Sequence, residues 1–114
     1  MKINTFEDIV AWQKAKDLTI QIYSIFNESK DFGFRDQIQR ASVSIMNNIA
    51  EGYETGTNRH FKNYLFIAKA SCAEVRSMLI LGFELGKLSK EQYDKLLSLS
   101  IEISRMLSGL IKTL

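Results

Sequence analysis

One segment of the chain repeats apolar and small residues at alternating steps of four and three positions. The members of this line are Phe61, Leu65, Ala68, Cys72, Val75, Leu79, Gly82 and Gly86. Because an α-helix has about 3.6 residues per turn, residues at these steps share one face and can pack against other helices. The chain contains no proline, which would interrupt such a helix. The pattern therefore predicts one long helix with a continuous apolar face.

The same spacing recurs in three other segments and divides the chain into four helices. Helix 1 is predicted from about Phe6 to Phe26 and helix 2 from about Arg35 to Tyr53. Helix 3 is predicted to start after Thr57 or Asn58, either of which can cap it, and to continue to about Leu85, and helix 4 follows a Ser89–Gln92 capping box. The core line of helix 1 is Ala11, Ala15, Leu18, Ile22 and Ile25, and that of helix 4 includes Leu96, Ser100, Ile103, Leu107 and Leu110. Short connections between long helices predict an all-α fold, an antiparallel up-down-up-down four-helix bundle that forms a single domain over residues 1-114.

The predicted helix 2 also carries a line of polar side chains, in addition to its apolar face. Its members are Gln37, Arg40, Ser44, Asn48 and Glu51. One interpretation is a ligand or catalytic site. The other is a structural network that fixes helix register or joins subunits, as polar groups in helical interfaces do. We favour the structural network, because such networks also occur without a functional role.

Helices 3 and 4 contain more apolar residues than one bundle can bury. The candidates for an oligomer interface are Phe66, Ala70, Ala73, Ile80, Leu97 and Ile101. A helix that is apolar on several sides is normally covered on more than one side, and exposed apolar patches mark interfaces. The sequence thus predicts a homo-oligomer. The alternative is a monomer with scattered exposed apolar residues.

Basic residues recur every seven positions on helix 3, which places them in one stripe. The candidates for nucleic-acid binding are Lys14, Lys16, Arg59, Lys62, Lys69 and Arg76. A line of cations along a helix can follow a phosphate backbone. The alternative is a solvated edge of the bundle, with long side chains covering apolar surface. Because the formal net charge is only +2, charge alone does not require a nucleic-acid partner.

No combination of residues in the sequence predicts catalysis. His60 is the only histidine, and Cys72 occupies a core position without a neighbouring base. Neither belongs to a triad or a metal-ligand pattern. We therefore expect no enzymatic activity, catalytic residue, metal, cofactor or small-molecule substrate. With no signal peptide, no long apolar run and one cysteine, we expect a cytoplasmic protein that makes no membrane contact.

Three groups of residues resemble the sequence pattern of a known family. They are Trp12, Gln13 and Ala15 in helix 1, Gln37, Arg40, Ala41, Ser44, Ile45, Asn48, Ile49, Ala50, Glu51 and Gly52 in helix 2, and Phe61, Leu65, Ala68, Ser71 and Glu74 in helix 3. With these groups the whole chain resembles the four-helix-bundle proteins encoded by intervening sequences in bacterial 23S ribosomal RNA genes. The chain departs from the pattern at Asn27 and Met46, where the family often has proline, and at Ala70, where it often has glycine.

The resemblance implies a four-helix bundle that commonly assembles into a pentameric ring with a central channel. It also implies similarity to the accessory variability protein of diversity-generating retroelements, a basic pentamer that assists a reverse transcriptase and binds nucleic acid. We accordingly expect a non-enzymatic homopentamer that binds structured RNA or a nucleoprotein partner through its basic stripes. The competing hypothesis is a scaffold oligomer that binds proteins and has no nucleic-acid role.

Overall fold

The computed structural model describes residues 2–114, so Met1 of the predicted domain lies outside it. The four helices are α1 (Val10–Phe26), α2 (Phe32–Glu54), α3 (Asn58–Glu84) and α4 (Lys90–Lys112). Helices adjacent in sequence pack side by side, α1 and α4 close the bundle, and the diagonal pairs do not meet. The described part of the chain contains no strand, and the predicted four-helix bundle is confirmed. None of these helices is apolar over a length sufficient to cross a bilayer.

The beginning of helix 1 differs from the prediction. A short 3-10 turn at Phe6–Asp8 comes first, and Ile9 then adopts an extended backbone with φ −77° and ψ 117°. The Asp8 carboxylate accepts hydrogen bonds from the backbone N–H groups of Asn4, at 2.9 Å, and Thr5, at 3.2 Å. The Ile9 side chain is buried in the core. The Asp8 hydrogen bonds and the burial of Ile9 together stabilise this interruption between the 3-10 turn and α1. The prediction of one continuous helix from Phe6 is therefore wrong.

The other helix starts follow their capping residues. α2 begins at Phe32, earlier than the predicted Arg35, because the Asp31 carboxylate accepts a hydrogen bond from the backbone N–H of Phe34. α3 begins as predicted, after Thr57. The capping box that starts α4 at Ser89 is confirmed. Gly86, with φ 73°, takes the left-handed conformation that ends α3.

The core consists largely of the predicted lines, with a correction near two helix ends. Phe26 is buried at the end of α1 where Ile25 was expected, and Ile111 is buried on α4 where Leu110 was expected. In both cases the last step of the line is four residues instead of three. A helix with 3.6 residues per turn needs more steps of four than a regular 3.5-residue repeat provides.

Gly52 permits a close approach of α2 to α3. A Cβ atom placed on Gly52 would lie 2.5 Å from Cβ of Tyr64 and 3.1 Å from Cδ1 of Phe61. Both distances are shorter than ordinary carbon–carbon contacts. The absence of a side chain at this position therefore sets the distance between the two helices.

An ion pair joins the start of α2 to the end of α3. Lys87 Nζ lies 2.8 Å from Oδ2 of Asp31, whose Oδ1 also accepts the Phe34 hydrogen bond. The hydrogen bond from Lys87, followed by that from Phe34, lowers the pKa of Asp31. A carboxyl group with a lowered pKa stabilises the folded state above its unfolded pKa, and that contribution is lost as the pH falls through the folded pKa.

We expect Asp31→Asn to lower stability at pH 7 and to have a smaller effect as the solution is made acidic, below the unfolded pKa of about 3.9. Urea denaturation of both proteins at several pH values measures this difference. Asp94→Asn, which removes an exposed pair with Lys90 on the same helix, is the control. A difference between Asp31→Asn and the parent that does not change with pH would contradict the role of this ion pair.

Candidate interaction surfaces

The side of α3 opposite the core is mostly apolar over its central turns, with the charged residue Glu74 at its edge toward α2. We call it the outer face of α3, and it consists of Phe66, Ile67, Ala70, Ala73, Ser77, Ile80 and Leu81, all exposed. Phe66 is 51% exposed and Ile80 is 48% exposed, which are large fractions for apolar side chains. Four of the predicted interface residues lie on this face.

The other two predicted interface residues lie on α4, next to α3. The Cys72 thiol donates a hydrogen bond to the carbonyl oxygen of Ser100 at 3.0 Å, which fixes the register of the two helices. Leu97 and Ile101, on either side of Ser100, are half-buried. They extend the apolar surface from α3 toward the exposed side of α4.

A stripe of cations runs along the α4 side of the outer face of α3. Lys62 is exposed, whereas Lys69 and Arg76 are half-buried. They are seven residues apart, which corresponds to about 10.5 Å along the helix. None of the ion pairs found within residues 2–114 involves these three residues. Arg59 is exposed just before them, in the first turn of α3.

The remaining two candidate cations are on α1, diagonally across the bundle from α3. Lys14 Nζ lies 3.1 Å from Oε1 of Glu102, which joins α1 to α4. Lys16 Nζ lies 5.2 Å from the centre of the Trp12 ring. The structure thus brings four of the predicted cations together on α3 and places the other two elsewhere.

The polar line of α2 meets polar residues of α3. Ser44 Oγ and Ser71 Oγ share a hydrogen bond of 2.8 Å. Asn48 Nδ2 donates to the carbonyl oxygen of Ser44 at 2.8 Å and to its Oγ at 3.0 Å. The Gln37 amide donates to the Glu74 carboxylate. Ser71 and Glu74 were not assigned to this network from sequence, because partners across two helices depend on their register.

Arg40 and Glu51, the charged members of the predicted network, are exposed. Neither makes a side-chain hydrogen bond or an ion pair with any other described residue. Arg40 belongs to a second surface, which we call the outer face of α2. It consists of Phe32, Asp36, Arg40, Val43, Asn47, Ala50 and Glu54, of which Val43 and Ala50 are half-buried and the others exposed.

Neither Cys72 nor His60 has surroundings that activate it. Burial raises the pKa of the Cys72 thiol to about 11, although Arg76 nearby acts in the opposite direction. The thiol is therefore protonated at neutral pH and is a weak nucleophile. His60 is exposed in the first turn of α3. Over residues 2–114, no three His, Cys, Asp or Glu side chains are grouped so that they could hold a metal ion.

A groove of about 540 Å³ lies between α1 and α4. Its charged lining residues are Asp17, Lys95, Glu102 and Arg105. Because the two signs are equally represented, the groove favours neither anions nor cations. A smaller apolar depression of about 360 Å³, lined by Ile3, Val10 and Leu110 among others, lies where the beginning of α1 meets the end of α4.

These features define an all-helical bundle whose candidate sites are exposed helix faces. The model of the family described as 23S rRNA-intervening sequence protein matches residues 7–109. The chain belongs to the 23S rRNA-intervening sequence protein family, as the sequence resemblance indicated.

A solved structure and the chain share this fold. The crystal structure of a protein of unknown function from the S23 ribosomal protein family of Bacteroides thetaiotaomicron superposes with a TM-score of 0.83 at 30% sequence identity. The alignment covers 90% of this chain and 98% of that protein. A comparison with curated proteins gives no match. The relation to the retroelement accessory protein stays a prediction.

Proposed function

We propose that this protein is a non-enzymatic homo-oligomer that binds structured RNA, alone or within a nucleoprotein, through cations repeated around the assembly. The observation that carries the proposal is the outer face of α3, which exposes large apolar side chains from Phe66 to Leu81 and has charged residues only along its edges. A contiguous apolar surface of this kind marks an interaction site. Closed symmetric assemblies are the usual outcome of self-association, and the family resemblance makes a pentameric ring the arrangement we expect.

The support for RNA comes from the stripe beside this face. Lys62, Lys69 and Arg76 make no ion pair with the rest of the described chain, so no carboxylate of the same subunit neutralises them. A symmetric oligomer would repeat the stripe in every subunit, and phosphate contacts then act together. The family name refers to 23S rRNA, which makes structured RNA the first polyanion to test.

RNA binding is tested by titrating the protein with a base-paired RNA at several salt concentrations. We expect submicromolar affinity that falls steeply with salt, since each phosphate contact adds about −0.9 to the slope of log K against log salt for duplex nucleic acid. The combined variant Lys62→Gln, Lys69→Gln and Arg76→Gln should bind at least tenfold more weakly and with a shallower slope. Sedimentation of the same variant separates a loss of phosphate contacts from a loss of assembly.

The matched control for this experiment removes the same number of positive charges at Lys30, Lys90 and Lys95, which lie outside the stripe. This control should keep most of the affinity. Absent or millimolar binding by the folded parent protein would contradict an RNA-binding function. Equal losses in the two triple variants would show that net charge, and not the stripe, determines affinity.

The second candidate function, a protein-binding scaffold, is favoured by the same exposed apolar face. Sedimentation of the parent protein at micromolar concentration separates the outcomes. An oligomer that fails to bind RNA would support the scaffold, with the cations serving solubility. A native mass equal to one chain would contradict self-association, which both candidate functions require.

A further inference from the structure

The geometry points to the surface that covers the outer face of α3. We propose that this face packs against the outer face of α2 of a second copy, with the two copies side by side and parallel. The inference rests on the self-association proposed above, and it adds the identity of the two contacting surfaces and of their charge pairs. It assigns Lys62 and Arg76 to the edge of the subunit contact, and it leaves Lys69 and Arg59 as the cations of α3 that have no partner in the contact.

The positions of α2 and α3 in the bundle suit a closed assembly. They are neighbours, so their outer faces point in directions about 90° apart. A contact between two different faces of one chain repeats from copy to copy, and it closes into a ring when the faces are inclined to each other. α1 is diagonal to α3, so a contact through its exposed Ile20 and Tyr23 would extend as an open filament.

The heights of residues along the bundle decide which side chains would meet. Copies related by rotation about an axis parallel to the helices keep every residue at the same height. Contacts within the chain show which residues of α2 and α3 are level, because Ser44 bonds Ser71 and Gly52 touches Tyr64. Eight positions along α2 therefore correspond to seven positions back along α3, which is close to one for one.

In this register, every charged residue of the outer face of α2 is within about one turn of an opposite charge on α3 of the neighbouring copy. The three pairs are Glu54 with Lys62, Arg40 with Glu74, and Asp36 with Arg76; Arg76 also lies within one turn of Arg40. Lys62, Arg76, Arg40 and Glu54 form no ion pair in their own chain within residues 2–114. Asp36 is held only by its neighbour Arg35, and Glu74 accepts one hydrogen bond from Gln37.

The apolar residues of the two faces are level as well. Val43 is at the height of Ala70 and Ala73, whose small side chains allow another helix to approach. Phe32, which is 60% exposed, is at the height of Ile80 and Leu81. The contact would cover the most exposed aromatic side chain of α2 with two exposed aliphatic side chains of α3.

The outer side of α4 is less suited to cover α3 in parallel copies. With the register set by Cys72 and Ser100, it would bring Lys112 near Lys62 and Arg105 near Lys69, whereas the acids at similar heights, Asp94 and Glu102, are already paired with Lys90 and Lys14 of their own chain. In a contact between parallel α3 helices, each cation would face the same cation of the second copy. An antiparallel pair of α3 helices about a two-fold axis is a competing arrangement with an opposite pair, Lys62 with Glu84.

A charge exchange tests the contact, with the association constant measured by sedimentation at low salt. Lys62→Glu places a carboxylate beside Glu54 of the next copy, and we expect association at least tenfold weaker than in the parent. Glu54→Lys should weaken association similarly, because it opposes Lys62. The double variant Lys62→Glu with Glu54→Lys should restore association to within about threefold of the parent.

The matched control is the double variant Lys62→Glu with Glu84→Lys, which should remain weakly associated. Rescue by this control, without rescue by the exchange at Glu54, would overturn the proposed contact and indicate the antiparallel α3 pair. Failure of both double variants to restore association would also overturn it. A monomeric parent protein would overturn the proposed function itself, and that result is visible before any variant is made.

Discussion

Ile45→Ala is expected to lower the free energy of unfolding by about 2–5 kcal/mol. Ile45 lies in the middle of α2, is completely buried and belongs to the core shared by the four helices. Removing its three outer carbon atoms leaves a cavity that helices anchored at both ends cannot close. A loss of this size is a large fraction of the total stability of a domain of this length.

The loss is measured by urea denaturation followed by circular dichroism, at one protein concentration, because self-association adds to apparent stability. Ile20→Ala is the matched control, since Ile20 is 59% exposed on α1. A change within about 0.5 kcal/mol is expected there. Similar losses at Ile45 and Ile20 would show that the two positions do not differ in burial as the structure describes.

Gly52→Ala should destabilise the protein by about 1–3 kcal/mol, which is the usual effect of inserting a carbon atom into a packed contact. The added Cβ would meet the Cβ atom of Tyr64, which is fixed to the backbone of α3 and cannot rotate away. The two helices would have to separate at this point. The loss is expected even though alanine favours a helix over glycine by about 1 kcal/mol.

Gly109→Ala is the control for this intrinsic preference. Gly109 also lies within a helix, but a Cβ atom placed on it has no neighbour within 4 Å. We expect this variant to gain about 0.5–1 kcal/mol, as alanine does at an open helical position. Opposite signs at the two glycines, measured in the same urea experiment, test the close approach of α2 and α3. Stabilisation by both substitutions would contradict it.

The sequence was sufficient to predict the helices because periodicity and capping residues are local signals. The lines of Leu65, Cys72 and Leu79 on α3 and of Leu96, Ile103 and Leu107 on α4 are buried as expected. The interruption at Ile9 could not be predicted in this way. Ile9 is apolar and suits a helix or a buried extended residue equally, and the choice depends on the Asp8 hydrogen bonds and on packing.

The candidate surfaces show the same division between local and non-local information. Excess apolar residues on α3 could be counted in the sequence, and the structure exposes Phe66 and Ile80 among them. The sequence did not predict the outer face of α2, because the predicted helix begins at about Arg35 and leaves out Phe32, whereas capping by Asp31 begins α2 at Phe32. Likewise, the exposure of Arg40 depends on how the helices are rotated, which periodicity does not determine.

The way the helices are connected has a consequence for folding kinetics. Apart from the α1–α4 contact, each helix packs against its neighbour in sequence, and such local contacts allow folding on the order of microseconds to milliseconds. The chain has no proline, so refolding lacks the slow isomerisation phase that prolyl bonds cause. A slow refolding phase whose rate increases with protein concentration would therefore report the joining of subunits.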